Sequence, residues 1–157
     1  MVQLELHLSK IFSEHIYYKT IVIDNCARNP DEVVLDFLKS QNLINFANYL
    51  IHSTSWRYEE GNIIKLTYLV VLPTEESYEL TKQLDLMNTK IAHAESSYKP
   101  RPSFIDETSV IRHAFRHLAY LLKHDYTQQY VHLFSFEQKL YIASVYDELA
   151  EKITALV

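Results

Sequence analysis

Two histidines four residues apart pose the chemical question. In R-H-A-F-R-H-L-A-Y-L-L-K-H-D, residues 112–125, His113 and His117 stand at i and i+4. His124 follows, and Arg112 and Arg116 sit beside them. On a helix, side chains four apart lie one above the other, so His113 and His117 can meet one metal ion or one anion together. The H-E-x-x-H motif of zinc hydrolases has the same histidine spacing. Here, however, Ala114 holds the place of the general-base glutamate, and Arg116 spoils the inverted form. Zincin-type hydrolysis is excluded. A divalent metal site of another kind, built on His113 and His117, needs further ligands from elsewhere, with His52, His93, Asp106 and Glu107 as candidates.

A second constellation lies earlier, in H-S-T-S-W-R, residues 52–57. On a strand, Ser53, Ser55 and Arg57 alternate onto one face. A two-residue turn at Gly61-Asn62 makes residues whose numbers sum to 123 face each other, so Trp56 opposes Thr67 and Tyr58 opposes Lys65. Ile64, Leu66, Tyr68 and Val70 then lie opposite the serine–arginine face. Small hydroxyls and one guanidinium against an apolar, tyrosine-bearing strand have the make-up of a small-molecule pocket, and arginine suits bidentate capture of carboxylate or phosphate. The expected site therefore combines His52, Ser53, Ser55, Trp56, Arg57 and Arg116 as ligand contacts with His113 and His117 as acid or base. It requires Arg57 and both histidines to lie within ~12 Å of one another. The competing reading is structural, with histidines on the shoulder of a packing helix and Arg57 in a salt bridge.

These residues must be positioned by elements whose signals differ in clarity. V-Q-L-E-L-H-L alternates with period two, and I-Y-Y-K-T-I-V-I-D (16–24) is rich in β-branched and aromatic residues; both predict strands. N-P-D-E-V-V-L-D-F-L-K-S predicts a helix with Asn29 as cap, Pro30 in the first turn and Glu32 closing a capping box. L-I-N-F-A-N-Y-L reads as a short helical continuation, and residues 52–72 form a β-hairpin. T-E-E-S-Y-E-L-T-K-Q-L-D-L-M has Tyr78, Leu80, Leu84 and Met87 at roughly helical spacing. T-K-I-A-H-A-E suggests a short strand, and E-S-S-Y-K-P-R-P-S (95–103) an ordered surface connection.

A helix from about Asp106 to His124 follows. At about 100° per residue its apolar arc holds Val110, Ile111, Ala114, Phe115, Leu118, Leu121 and Leu122. Arg112, Arg116 and Lys123 fall away from that arc, and His113, His117, Tyr120 and His124 form a ridge on its shoulder. The last helix starts at Ser135, boxed by Gln138, with Ile142, Val145, Leu149, Ile153 and Leu156 on one stripe. The sum is one α+β domain over residues 1–157, its small sheet centred on the hairpin and its C-terminal third helical.

Composition narrows the chemistry. A single glycine, Gly61, excludes phosphate-cradling glycine-rich loops, dinucleotide fingerprints and the G-x-S-x-G elbow. A single cysteine, Cys26, excludes an internal disulfide and any site needing two thiolates. A net charge of −5 argues against a dedicated nucleic-acid binder, and the acidic flanks Asp106, Glu107 and Asp125 make the Arg112–Arg116–Lys123 stripe a solvated face. No apolar run nears the ~20 residues of a membrane span. The N-terminus has neither a basic n-region nor a small-residue cleavage site, so the expectation is a cytoplasmic protein. No cofactor is implied.

The pairing of H-S-T-S-W-R with R-H-A-F-R-H-L resembles that of a group of small, uncharacterised bacterial proteins, in which such a hairpin precedes an R-H-A-x-R-H-L helix. The resemblance covers about 40 of the 157 residues. It implies no activity, but it singles out His52, Trp56, Arg57, His113, Arg116 and His117. The expected function is binding of a small anionic or nucleotide-like molecule, modified or not, between the strand of residues 52–58 and the helix of residues 106–124. Two alternatives stay open: an interaction or scaffold protein, homodimeric through its many aromatics, and a metal-binding protein using His113 and His117.

Overall fold

The first strand lies at the centre of the sheet. In the computed structural model, which describes residues 1–12, 15–84, 86, 94–96, 99–102, 107–124 and 130–144, β1 (Val2–Ile11) pairs with β2 (Ile16–Ile23) on one side and β4 (Ile63–Val71) on the other. The five-stranded order is β3-β4-β1-β2-β5, with β3 at Leu50–Glu59 and β5 at Lys82–Leu84. Only the β1–β4 pairing is parallel. Because β1 is covered on both faces, every residue from Leu4 to Ile11 is buried.

The chain's two apolar periodicities each build one layer. Leu4, Leu6 and Leu8 point with Tyr68 and Val70 toward α1 (Pro30–Ser40), whose Val34 and Leu38 close that layer. On the other face Ile11, Ile16, Tyr18, Leu69 and Val71 meet Ile111, Phe115 and Leu118 of α2 (Glu107–Lys123). Ile142 of a third helix, α3 (136–144), joins this second layer. The fold is α+β, its sheet mixed and its C-terminal third helical.

Local punctuation matches the chain at most points. Pro30 opens α1, and Asn29 Oδ1 accepts from the backbone N–H of Asp31 at 3.0 Å. Glu32 returns no bond to Asn29, so this cap is one-sided. The box at α3 is complete: Ser135 N–H donates to Gln138 Oε1 at 2.8 Å, and Gln138 N–H to Ser135 Oγ at 3.2 Å.

Four expectations need correction. The segment at 43–50 is not a helical continuation but a single 3₁₀ turn, Phe46–Asn48, running straight into β3. Residues 77–81 are irregular and lead into β5 rather than a helix. Lys10 Nζ donates to the Glu76 and Tyr78 carbonyls there, giving the chain backbone partners outside a helix. Ala94–Ser96 and Lys99–Pro102 pair as strands β6 and β7, where the sequence predicted a plain connection. The hairpin has three loop residues, since Glu59 pairs with Ile63, and Gly61 and Asn62 both have positive φ, 81° and 58°. Met87, residues 89–93 and residues 145–157, which include most of the expected C-terminal stripe, lie outside the described residues.

The one-sided cap gives a direct test. Asn29→Ala should lower stability by about 1 kcal/mol, whereas Glu32→Ala should stay within about 0.5 kcal/mol. Urea denaturation of both variants at neutral pH separates them.

Candidate functional site

A bulge decides which side chains of β3 face α2. Ser53 pairs with Tyr68 but Ser55 with Thr67, leaving Thr54 as the extra residue. One inserted residue turns every later side chain to the opposite face. Ser55 and Arg57 therefore stand beside Thr67 and Lys65 on the α2 side. Ser53, Trp56 and Tyr58 stand beside Tyr68, Leu66 and Ile64 on the α1 side. The expected single face of Ser53, Ser55 and Arg57 against Leu66 and Tyr68 does not form, because both the three-residue loop and the bulge shift the register. Trp56 and Tyr58 meet edge to face at 5.4 Å and are 62% and 56% exposed.

His52 pairs with Leu69, on the α2 side. There its ring meets His117, with centroids 6.0 Å apart, and His117 in turn meets His113 at 5.2 Å. Strand and helix thus bring His52 to two imidazoles more than 60 residues away in the sequence. His113, Arg116 and His117 are exposed and His52 is half-buried. Partial burial holds the His52 and His113 imidazoles below the ordinary histidine range. Repulsion from His117, and for His113 also from Arg116, acts the same way. The charges that shift these two rings are all positive.

Arg57 belongs to a different cluster. His52 and Arg57 pair with Leu69 and Lys65, four residues apart on β4, which puts them about 13 Å apart along the sheet. All three guanidinium nitrogens of Arg57 are engaged: Nε with Glu59 at 3.0 Å, Nη1 with Thr67 at 3.3 Å and Nη2 with Glu5 at 3.1 Å. Lys65 Nζ adds contacts to Glu5 at 3.7 Å and Glu59 at 3.6 Å. Two carboxylates face two cations, so no net charge remains to capture an anion. Arg112 also departs from expectation. It is buried, because the covered arc of α2 extends past its apolar residues through Ala119.

Sequence reasoning missed the centre of this second cluster. Glu5 and His7 project from β1 under the α2 side, His7 fully buried. His7 Nδ1 lies 2.9 Å from Thr20 Oγ1, and its Nε2 lies 3.2 Å from Glu5 Oε1. The second approach is off the axis of a straight hydrogen bond, leaving an electrostatic contact. The signal was present in V-Q-L-E-L-H-L, whose alternation puts Glu5 and His7 on one face. It reads as a solvated face unless the strand is known to be central.

For a metal, the helix offers less than its spacing promised. Among the described residues no group of three or more histidine, cysteine, aspartate or glutamate side chains is placed to hold an ion. Glu107 is taken by Lys82 at 2.8 Å, and His93 and Asp106 lie outside the described residues. A cleft of about 370 Å³ opens elsewhere, beyond the end of β4, between residues 71–75 and 132–138. No helix among the described residues is long and apolar enough to cross a membrane.

No family model, no curated protein and no solved structure matches the chain.

The buried carboxylate has a pH signature. Burial pushes the Glu5 pKa up, but His7 and Arg57 outweigh it and bring it from 4.5 to about 2. A carboxyl depressed on folding stabilises the protein above its unfolded pKa and loses that contribution as pH falls toward its folded value. Stability should therefore decline between about pH 4.5 and pH 2. Glu5→Gln should cost about 2–4 kcal/mol at pH 7 by stranding Arg57 and Lys65, and should flatten that acid limb. Urea melts at pH 7 and pH 3 measure both effects.

Proposed function

We propose that the protein binds a small anionic molecule at the cluster of His52, His113, Arg116 and His117, where α2 passes over β3. One observation carries the reading. Three imidazoles and a guanidinium gather on the exposed shoulder of the helix, and among the described residues none of the four makes an ion pair with a carboxylate. Protonated, such a group repels itself, which adds to desolvation in lowering the His52 and His113 pKa, and a bound anion turns that repulsion into attraction. Arg116 disfavours a metal cation at the same place. Ser55 shares the face of His52, while Arg57 supports the fold through Glu5 rather than anchoring the ligand.

The reading keeps the expected ligand class and helix, and moves the guanidinium role from Arg57 to Arg116. It takes the protein to be cytoplasmic and of the small bacterial group it resembles.

Sulfate, doubly charged across the working range, is the cleanest probe. It should shift the ring-proton resonances of His52, His113 and His117 and raise the pKa of the first two. Binding should be tighter at pH 6 than at pH 8, because protonated imidazoles are favoured by the anion. Arg116→Ala and His117→Ala should each weaken it by about tenfold. Absence of any shift in those three resonances with millimolar sulfate or phosphate would refute the site, and a response to zinc instead would favour the metal alternative.

A second reading has its own support. Phe136 and Leu140, four apart on α3, are 70% and 55% exposed, and Trp56 and Tyr58 are largely exposed on an outer strand. Such residues suit a homodimer contact. Light scattering during size exclusion decides it: a monomer at micromolar concentration removes this reading.

A further inference from the structure

Tyr120 continues the line of rings along α2, and the anion site as described makes no use of it. It sits one turn beyond His117 on the same ridge and is 55% exposed. Its ring leans on His124, with centroids 4.4 Å apart and planes inclined at 45°. The exposed positions on this side of the helix are otherwise His113, Arg116, His117 and Lys123, so among them Tyr120 alone offers a phenol ring. Residues three or four apart on a helix carry Cβ atoms about 5–6 Å apart. That spacing is comparable to the reach from a phosphate, across one sugar, to the ring it carries.

We propose that the ligand is a phosphomonoester whose sugar carries an aromatic ring, a nucleoside monophosphate, with its phosphate among His52, His113, Arg116 and His117 and its ring on Tyr120. The inference rests on the anion reading above and adds to it the class of molecule. A phosphomonoester presents three terminal oxygens and close to two negative charges near neutral pH. Three imidazole N–H groups and a guanidinium fork match that oxygen count with donors on more than one side. A monocarboxylate, with two oxygens and a single charge, would engage fewer of those donors. The tyrosine ring supplies a flat π-face that accepts any base without reading its edges, so the site selects for an aromatic group rather than for one nucleobase.

The test compares inorganic phosphate, ribose 5-phosphate and adenosine 5′-monophosphate on the full chain by calorimetry, with histidine resonances reporting the location. Adenosine 5′-monophosphate should bind about tenfold tighter than ribose 5-phosphate. Tyr120→Ala should erase that advantage while leaving ribose 5-phosphate affinity unchanged, and Tyr120→Phe should keep it. Tyr120 is exposed, so neither variant threatens the fold, and unchanged thermal melts verify this. Equal affinity for the two sugar phosphates, or an advantage that survives Tyr120→Ala, overturns the ring platform while leaving the phosphate site in place. Failure of all three phosphates to bind overturns the anion reading and this inference together.

Discussion

A carboxylate at the centre of the sheet sets the terms for much of this protein. β1 is buried on both faces, and the residues it turns toward α2 include Glu5, His7 and Ser9. Each must find a partner inside, because a buried charge left alone costs several kcal/mol. Ser9 donates to the Val70 carbonyl at 3.1 Å, His7 is held by Thr20, and Glu5 draws in Arg57 and Lys65. The bulge at Thr54 belongs to this arrangement. By turning the loop-side half of β3 over, it brings Arg57 toward Glu5 and sends Trp56 and Tyr58 to the other face. The side chain of Thr54 closes the irregularity by donating to the Thr67 carbonyl at 3.3 Å.

The same side of the sheet thus carries two clusters of basic groups with different surroundings. Toward the hairpin loop, Arg57 and Lys65 are matched one for one by Glu5 and Glu59. Toward the other end, the rings of His52, His117 and His113 meet in turn, and among the described residues neither they nor Arg116 makes an ion pair with a carboxylate. The apolar side chains of Leu50, Leu69 and Val71, together with the helix residues above them, surround the imidazole end. Matched charge ties the hairpin end of the sheet together.

How much of this the sequence disclosed depended on the range of each signal. Strands β1, β2, β3 and β4, helix α1 and the body of α2 follow from local periodicity and caps, and Ser135 with Gln138 marks the start of α3 as read. The convergence of His113 with His117 is a property of one helix and was readable. Their meeting with His52 depends on where the helix lands, which no spacing encodes. Arg57 was set opposite the wrong residue because the loop has three residues rather than two, and Ser53 left its face because a bulge inserts one residue without any glycine or proline to announce it. Glu5 and His7 were misjudged because polar alternation normally means one wet face. Only the parallel pairing with β4 makes β1 internal. The helical reading of residues 74–87 failed because the irregular chain leading into β5 shows the same loose apolar spacing as a helix.

The parallel pairing of β1 with β4 also governs the order of assembly. Residues 2–9 are in register with residues 64–71, so the second neighbour of the earliest strand is made some sixty residues later. During synthesis β1 can close with β2 at once, but its remaining hydrogen-bonding edge stays open until the hairpin arrives. Contacts of such long sequence separation slow folding and prolong exposure of apolar surface. Until the hairpin docks, the β1–β2 unit carries an unpaired edge and a Glu5 still without Arg57 and Lys65.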